Sequence, residues 1–412
     1  MASLFIKRSN LPLHKRSETY HRYKMALSTE RLPALILDIE AFDKNCKTLV
    51  QNGGEHRPIR VATKSLRCIK AIQRILNTNP SFKGLMAYSA GEAAFLASQG
   101  FNDILIGYPT MDASDLRACM PHIKANKKIR FMICNFLQAE RLNQIAQESQ
   151  LTADYCIDLN HAMVLPGLFF GVRRSPITNT AQLEALITKI AALTHLRFCG
   201  FMGYEAQIAG VKDNESNQYI KNQMIRLLKK RSTRLIAKQR QEVLDWSKHH
   251  NLSVEIFNGG GTGSLQVACH DHSLTELTAG SGFFAPKLFD HYEHLKLEPA
   301  LMFASPVTRQ HDDHWFTCHG AGYIASGSTG VDRLPTAWLP EGLTLSPLEG
   351  AGEVQTPVKA PHGIALNIGD PVFFRHAKAG EVCEHFKEIL VIKDNAIIDR
   401  WPTYRDMGQC FL

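Results

Sequence analysis

Nowhere in the 412-residue sequence does an apolar run approach the roughly 20 residues that a membrane-spanning helix needs. The opening residues, Met1-Ala2-Ser3-Leu4-Phe5-Ile6-Lys7-Arg8, lack the extended apolar core of a secretory signal, so a cytoplasmic protein is expected. None of the ten cysteines forms a CxxC pair, and their spacing matches no zinc or disulfide framework. They read as reduced, mostly buried small hydrophobes. No HExxH pattern occurs. The pairs His270/His272, His291/His294 and His311/His314 fall in apparent loops, where solvation is the simpler reading. Internal repeats and low-complexity segments are absent too. Charge of one sign is only mildly in excess, 47 basic against 39 acidic residues for a net +8, which suits an anionic ligand. The densest basic stretch, residues 221–240, has no aromatic side chains interleaved to stack on bases. Met224, Leu228, Leu235 and Val243 recur there at near-helical spacing, so an amphipathic helix with a solvated basic face is expected. Neither nucleic acid nor a membrane is expected as a partner.

What is present is a regular alternation. With 44% hydrophobic and 21% charged residues, the chain has the makeup of a globular protein large enough for a barrel and an appendage. After a polar, basic extension over residues 1–32, with a helix around 17–28, the run Leu32-Pro33-Ala34-Leu35-Ile36-Leu37-Asp38 reads as a strand. Strand-like runs then follow at 59–63, 84–88, 103–108, 129–134, 153–159, 196–202, 254–257 and 275–279. Helical patterns at 65–76, 89–99, 136–149 and 180–193 separate several of them, and a further extended piece covers 167–173. Eight strands alternating with helices indicate a parallel (β/α)8 barrel. An open doubly wound sheet would place glycines after its first strand, where this chain has Ala62-Thr63-Lys64-Ser65. The barrel is assigned to residues 33–294. Beyond it, residues 295–412 show short alternating runs and form a β-rich domain, and the early strand at 34–38 is available to pair with it.

Chemistry gathers at two glycine-rich turns and one lysine. Val254-Glu255-Ile256-Phe257 runs into Asn258-Gly259-Gly260-Gly261-Thr262-Gly263-Ser264, and the eighth strand runs into Gly280-Ser281-Gly282. Serial glycines let backbone N–H groups converge on an anion with no Cβ in the way, although such runs also serve as ordinary tight turns. Two of them after strands seven and eight, at one barrel rim, favour a phosphate cradle. Lys64, directly after strand one, is placed across that rim to form an imine with a phosphorylated aldehyde, and pyridoxal phosphate is the candidate.

The strand leading to Lys64, the run Gly200-Phe201-Met202-Gly203-Tyr204-Glu205 and the loop Gly259-Gly260-Gly261-Thr262 together resemble the fold-type III pyridoxal-phosphate enzymes, with their alanine racemase-like barrel. Within that group residues 30–400 look most like the branch of D-threonine aldolases, D-serine dehydratases and amino-acid deaminase/aldolases. The resemblance implies that Lys64 holds the cofactor and shuttles the α-proton. It implies that Gly260, Gly261, Thr262, Gly280 and Ser281 bind the phosphate, and that Tyr204 sits near the cofactor. Arg173, in Gly171-Val172-Arg173-Arg174-Ser175-Pro176, matches a cofactor-facing arginine, with Arg174 as the alternative.

That branch also carries a divalent metal (zinc, manganese or magnesium) in its β domain, on a histidine and a cysteine or aspartate separated by one residue. The sequence departs from this pattern. His376 has Lys378 as its i+2 partner, and Cys383 has Glu381 where histidine belongs. Glu381 with Cys383 on one strand face is the candidate pair, with His376 as the alternative. The function implied is a pyridoxal-phosphate-dependent lyase, an aldolase or dehydratase acting on a small D-configured β-hydroxy amino acid, working as a homodimer. A racemase with Tyr323 as second base and a non-catalytic cofactor-homeostasis protein are the rivals.

Overall fold

Half of the barrel strands are buried along their whole length, which happens when one face packs inward and the other is covered by helices. The computed structural model describes residues 13–412. After β1 (Ala34–Asp38), the chain lays down β2 (Ile59–Ala62), β3 (Phe82–Ala87), β4 (Ile104–Ile106), β5 (Ile129–Ile133) and β6 (Ala153–Asp158). A small hairpin of β7 (Met163–Leu165) and β8 (Leu168–Phe170) interrupts the series. It resumes with β9 (Leu196–Met202), β10 (Ile256–Gly259) and β11 (Glu276–Ala279). Strands β2 to β6 and β9 to β11 close into an eight-stranded parallel barrel, β11 pairing with β2 through Leu277, Thr278 and Ala279. Helix starts are set by side-chain caps: Ser89, Asn135 and Asn179 each accept the N–H three residues on, and Asp38 accepts those of Glu40 and Ala41.

The expected strands agree with those observed to within a few residues. Two differences have local causes. The third barrel strand is only Ile104–Ile106, because Asp103 sits at φ 55 and turns away to pair with Arg60 and Arg130. The helix expected from residue 65 starts at Ile69, because Thr63–Ser65 winds into a 3-10 turn and Arg67 takes φ 49. The extension's helix spans Leu13–Ala26, while the first twelve residues of the extension, including the opening run, lie outside the described residues.

The β domain contains β12 (Leu301–Gln310), β13 (Trp315–His319), β14 (Thr336–Leu339), β15 (Thr344–Leu345) and β16 (Gln355–Lys359). It is completed by β17 (Pro371–Arg375), β18 (Glu388–Lys393) and β19 (Ala396–Pro402). Strand β1 lies inside this sheet, antiparallel to β12 and parallel to β18. The helix Leu13–Ala26 lies against the same sheet, Tyr20 and Tyr23 meeting the Phe373 ring edge-on. Among the described residues, no helix is long and apolar enough to cross a membrane.

Inside the barrel two layers stack. Leu105, Met132, Cys156, Cys199 and Met202 form an apolar plug. A polar layer is built on Arg60, whose guanidinium is almost fully buried and meets Glu276 through two hydrogen bonds of 2.7 Å. Asn258 donates to the same carboxylate at 2.8 Å. Glu276 and Asp103 more than offset what burial takes from the Arg60 guanidinium. Removing one partner of such a pair costs about 3–5 kcal/mol. Glu276→Ala is therefore expected to destabilise the fold by about that amount in chemical denaturation, whereas a cost below about 1 kcal/mol, the value of an exposed pair, would contradict the buried-pair account.

Candidate active site

At the C-terminal ends of the barrel strands lies a cavity of about 1080 Å³, walled by the barrel and by the β domain of the same chain. Lys64 enters it from the 3-10 turn after β2. That turn is pinned: the Thr63 hydroxyl donates to Met86 O at 3.0 Å, and Arg67 Nε donates to Lys64 O at 3.1 Å. Arg67 in turn meets Glu384 of the β domain at 2.8 Å. From the other side Gly380, at φ +94, comes so near that a Cβ on it would stand 2.1 Å from Lys64 O. With its backbone held between these groups, Lys64 extends into the cavity and Nζ donates to the Tyr108 hydroxyl at 2.7 Å. Burial pushes the Tyr108 phenol up, but Lys64 and Arg174 outweigh it and leave it below the usual tyrosine value.

The two glycine turns meet beside Lys64 rather than opposite it, since β11 pairs with β2 and a Cβ on Gly280 would stand 2.9 Å from Ala62 O and from Ser65 Oγ at the edge of the cavity. Gly260, Gly261, Thr262, Gly280 and Ser281 all line it. Thr262 Oγ1 accepts the N–H of Gly282 at 3.1 Å and of Gly280 at 3.4 Å, which ties one turn to the other. A Cβ on Gly261 would stand 2.9 Å from both Tyr204 Cε2 and Ala209 Cβ, so only glycine leaves the Tyr204 ring in place. Behind the loop is a pair that the sequence reading missed. The Glu205 carboxylate accepts Gly260 N–H at 3.1 Å and the Ser264 hydroxyl at 3.0 Å, and it is held by Arg240 at 2.6 Å with both side chains buried. Arg240 belongs to the helix Tyr219–His249, whose basic face was expected to be solvated. There Arg240 and Lys229, the latter on Asp213 at 2.7 Å, turn inward instead. Acidic partners distant in sequence neutralise them, Glu205 and Asp271 for Arg240 and Asp213 for Lys229, and no local signal marks which basic residues those are.

Tyr204 lines the cavity, and burial beside Glu205 pushes its phenol up to about 12. Of the two arginines, Arg174 lines the cavity, its guanidinium 5.9 Å from the Tyr108 ring and 5.7 Å from the Tyr204 ring. Arg173 does not line it and lies 4.2 Å over the Phe169 ring. Neighbours in extended chain point to opposite sides, so only one of the pair can face inward, and here it is the second. Near Arg174, at the end of β6, Asp158 has its carboxyl raised to about 7 by burial, with Arg174 pulling the other way. Tyr108 and Asp158 were not singled out from the sequence, where each is one polar residue at a strand end.

The cavity suits a phosphate-bearing aldehyde. The glycines leave space that a side chain would fill, and no hydrogen bond engages Thr262 N–H or Ser281 N–H among the described residues. The Tyr88 hydroxyl is buried on the wall without a partner, and Lys64, Arg67 and Arg174 supply positive charge. The metal candidates do not fit in the same way. Glu381 and Cys383 were expected on one strand face, but Glu381–His385 is a 3-10 turn, where residues two apart lie roughly 240° around the axis from each other. Glu381 faces the cavity and accepts the N–H and hydroxyl of Ser326. Cys383 is buried outside it, its thiol pushed up by burial and by Cys68. His376 is also buried away from the cavity, held near 3 by burial and Arg375, with no well-formed hydrogen bond at either ring nitrogen. Lys378, its i+2 neighbour, is the residue that reaches the cavity. Among the described residues these donors join no group of three.

Two measurements follow from this geometry. Gly261→Val should displace Tyr204 and weaken pyridoxal-phosphate retention by roughly tenfold or more, equivalent to about 1.4 kcal/mol, without unfolding the chain; unchanged cofactor content would remove the loop from the phosphate site. Asp158 is protonated below about 7, and above it the carboxylate offsets the Arg174 charge, so anion affinity should fall as pH rises through that value. Comparing wild type with Asp158→Asn cancels the ligand's own ionisation; identical pH profiles for the two would rule the effect out.

The model of the alanine racemase N-terminal domain matches residues 37–281. Among solved structures, a D-threonine aldolase from Filomicrobium marinum superposes with a TM-score of 0.76 at 16% identity, over 90% of this chain and 94% of that one. The D-threo-3-hydroxyaspartate dehydratase of Delftia sp. HT23 gives 0.71 at 16% identity, over 92% and 98%. An alanine racemase-like protein from Idiomarina loihiensis gives 0.67 at 14% identity, over 92% and 98%. No curated protein matches the sequence. Identities this low establish likeness of fold, across both barrel and β domain. The family model, however, spans more than half of the sequence, including Lys64 and both glycine turns, and the chain belongs to the alanine racemase N-terminal-domain family, the fold-type III pyridoxal-phosphate enzymes.

Proposed function

We propose that this chain is a pyridoxal-phosphate-dependent lyase for a small, D-configured β-hydroxy amino acid. The observation that carries the reading is Lys64 Nζ, fixed in the cavity that the joined glycine turns also line and hydrogen-bonded to Tyr108. The names of two similar structures, an aldolase and a dehydratase of β-hydroxy D-amino acids, support the choice of substrate class.

In this reading the glycine turns and Thr262 hold the phosphate, and Lys64 binds the aldehyde carbon. When bound, the cofactor supplies an electron sink that stabilises negative charge at the substrate Cα. Lys64 would be the amine placed to move a proton at Cα, with Tyr108 fixing its direction. Arg174 on the barrel rim and Lys378 on the β-domain wall are cations available to a substrate carboxylate. Aldol cleavage breaks Cα–Cβ as the β-hydroxyl loses its proton, giving an aldehyde and glycine. Dehydration takes the Cα proton and expels the β-hydroxyl as water; the enamine left behind tautomerises to an imine, and one water adds to it to give a keto acid and ammonia. Because the Glu381–Cys383 segment offers no converging donors, no step is assigned to a metal there.

The rival readings have less support. Tyr323, the candidate second base of a racemase, does not line the cavity and packs against Phe303 and His385, each 4.8 Å away between ring centroids. A bare cofactor carrier would not need a β domain that clamps Lys64. The homodimer belongs to the proposal as well, and the exposed apolar stripe of Tyr219, Ile220, Met224 and Leu227 supports it.

The test is to reconstitute the protein and supply D- and L-amino acids while detecting aldehyde, keto acid and enantiomer. D-β-hydroxy amino acids should be consumed by a species that sediments as a dimer, and Lys64→Ala should slow turnover by roughly 10²–10⁴-fold or more. Borohydride reduction should leave the pyridoxyl group on Lys64. An adduct on another lysine, or enantiomer interconversion as the only reaction, would overturn the reading.

A further inference from the structure

At the opposite end of the barrel, the loops that lead into β2 and β11 bring together three side chains distant in sequence. His56 stands three residues before β2. Cys269 and His270 follow the short helix Leu265–Ala268 and precede β11. Their donor atoms all lie within 4.8 Å of one another, and the two imidazole rings are 5.2 Å apart between centroids. Among the described residues this is the only group of three such donors. It is unconnected with the cofactor cavity, which opens at the other ends of the same strands.

We propose that His56, Cys269 and His270 form a binding site for a zinc-class divalent cation at the seam where the barrel closes. The donor set suits that ion. One thiolate with two imidazoles is a borderline-soft combination that favours zinc over magnesium or calcium, and three protein ligands leave a fourth position for water. Bond lengths of about 2.0–2.3 Å in a tetrahedron set neighbouring donors roughly 3.3–3.8 Å apart, so the present spacing must tighten by about an ångström. The two histidines are exposed, while Cys269 is buried and supplies the fixed point. Its Sγ is engaged only by Gln266 O at 3.4 Å, a weak contact that metal would replace.

The surroundings are already arranged for such a link. Gln266 Nε2 donates to Asn52 Oδ1 at 2.9 Å, which holds the two segments together beside the site. Gly53 packs so closely on Leu277 of β11 that an added Cβ would lie 3.0 Å from it. Strands β2 and β11 are the first and last of the barrel and join over three residue pairs. An ion bridging the loops before them would lock that closure. The same segment begins at the glycine turn, so the ion would fix the far end of the stretch whose near end cradles phosphate.

Cobalt(II) provides the direct probe, because a thiolate ligand gives it a charge-transfer band that imidazole and carboxylate sites lack. The holoprotein, freed of metal by chelation and dialysis, should take up one cobalt per chain with that band, and zinc should displace it. Cys269→Ser should abolish the band, and His56→Gln and His270→Gln should each weaken uptake by at least about tenfold, the scale on which even outer-shell partners matter. Zinc should raise the melting temperature of the wild type and leave that of Cys269→Ser unchanged. Absence of the band in the wild type, its survival in Cys269→Ser, or unaltered affinity in both folded histidine variants would each overturn the proposal. The cofactor's absorbance, recorded in the same samples, shows whether pyridoxal phosphate on Lys64 is retained. A failure of this site is thereby separated from a failure at the barrel mouth.

Discussion

The approach of Gly380 to the carbonyl of Lys64 is the contact on which the working end of this molecule depends. A barrel strand ends, the chain turns, and a loop from another domain lies against that turn too closely for any side chain. Arg67 closes the clamp by reaching from Lys64 O to Glu384. A flexible lysine on a free rim would sample many directions. Here its backbone is held from two sides and its amine by a phenol, so the entropic cost of positioning it is met during folding. The β domain therefore acts as the second half of the candidate site, and its Ser326, Lys378, Glu381 and Glu384 form part of the wall.

The glycine loop rests on a comparable constraint. Backbone amides converge on an anion only if something else holds the loop's shape, and Glu205 does so by accepting from Gly260 and Ser264. A carboxylate buried that deeply needs compensation, which Arg240 gives from the long helix outside the barrel. Buried ion pairs of this kind add little net stability compared with apolar packing. Their contribution is to specify one geometry, and in this loop geometry is what matters.

How much of this was legible in the sequence depends on what each feature asks of its residues. The barrel was legible because strands buried on both faces must be apolar throughout, and the helices between them must carry a 3.6-residue period. The glycine loop's tight course was legible because only glycine allows the close approach at Gly261 and the positive φ at Gly260. Choices that hinge on one turn were not. Arg173 and Arg174 are alike in sequence, and a one-residue phase decides which faces inward. Glu381 and Cys383 have the i, i+2 spacing of a shared strand face, but β17 has already ended at Arg375 and a 3-10 turn separates them. Partners such as Glu205 and Arg240, 35 residues apart, become visible only when the fold closes.

Strand β1 has a consequence for how the protein is made. It is completed before the barrel begins, yet both its neighbours, β12 and β18, belong to the far end of the chain. From Asp38 to Leu301 is about 260 residues of synthesis, and at about 5–20 residues per second a ribosome needs roughly ten to fifty seconds to cover them. Throughout that interval Ala34-Leu35-Ile36-Leu37 is an apolar strand with two unpaired edges, the kind of segment that recruits other chains or chaperones. The barrel is thus born with a sticky leader that only its last domain can quench. Separating the two domains at the genetic level would leave that leader permanently exposed.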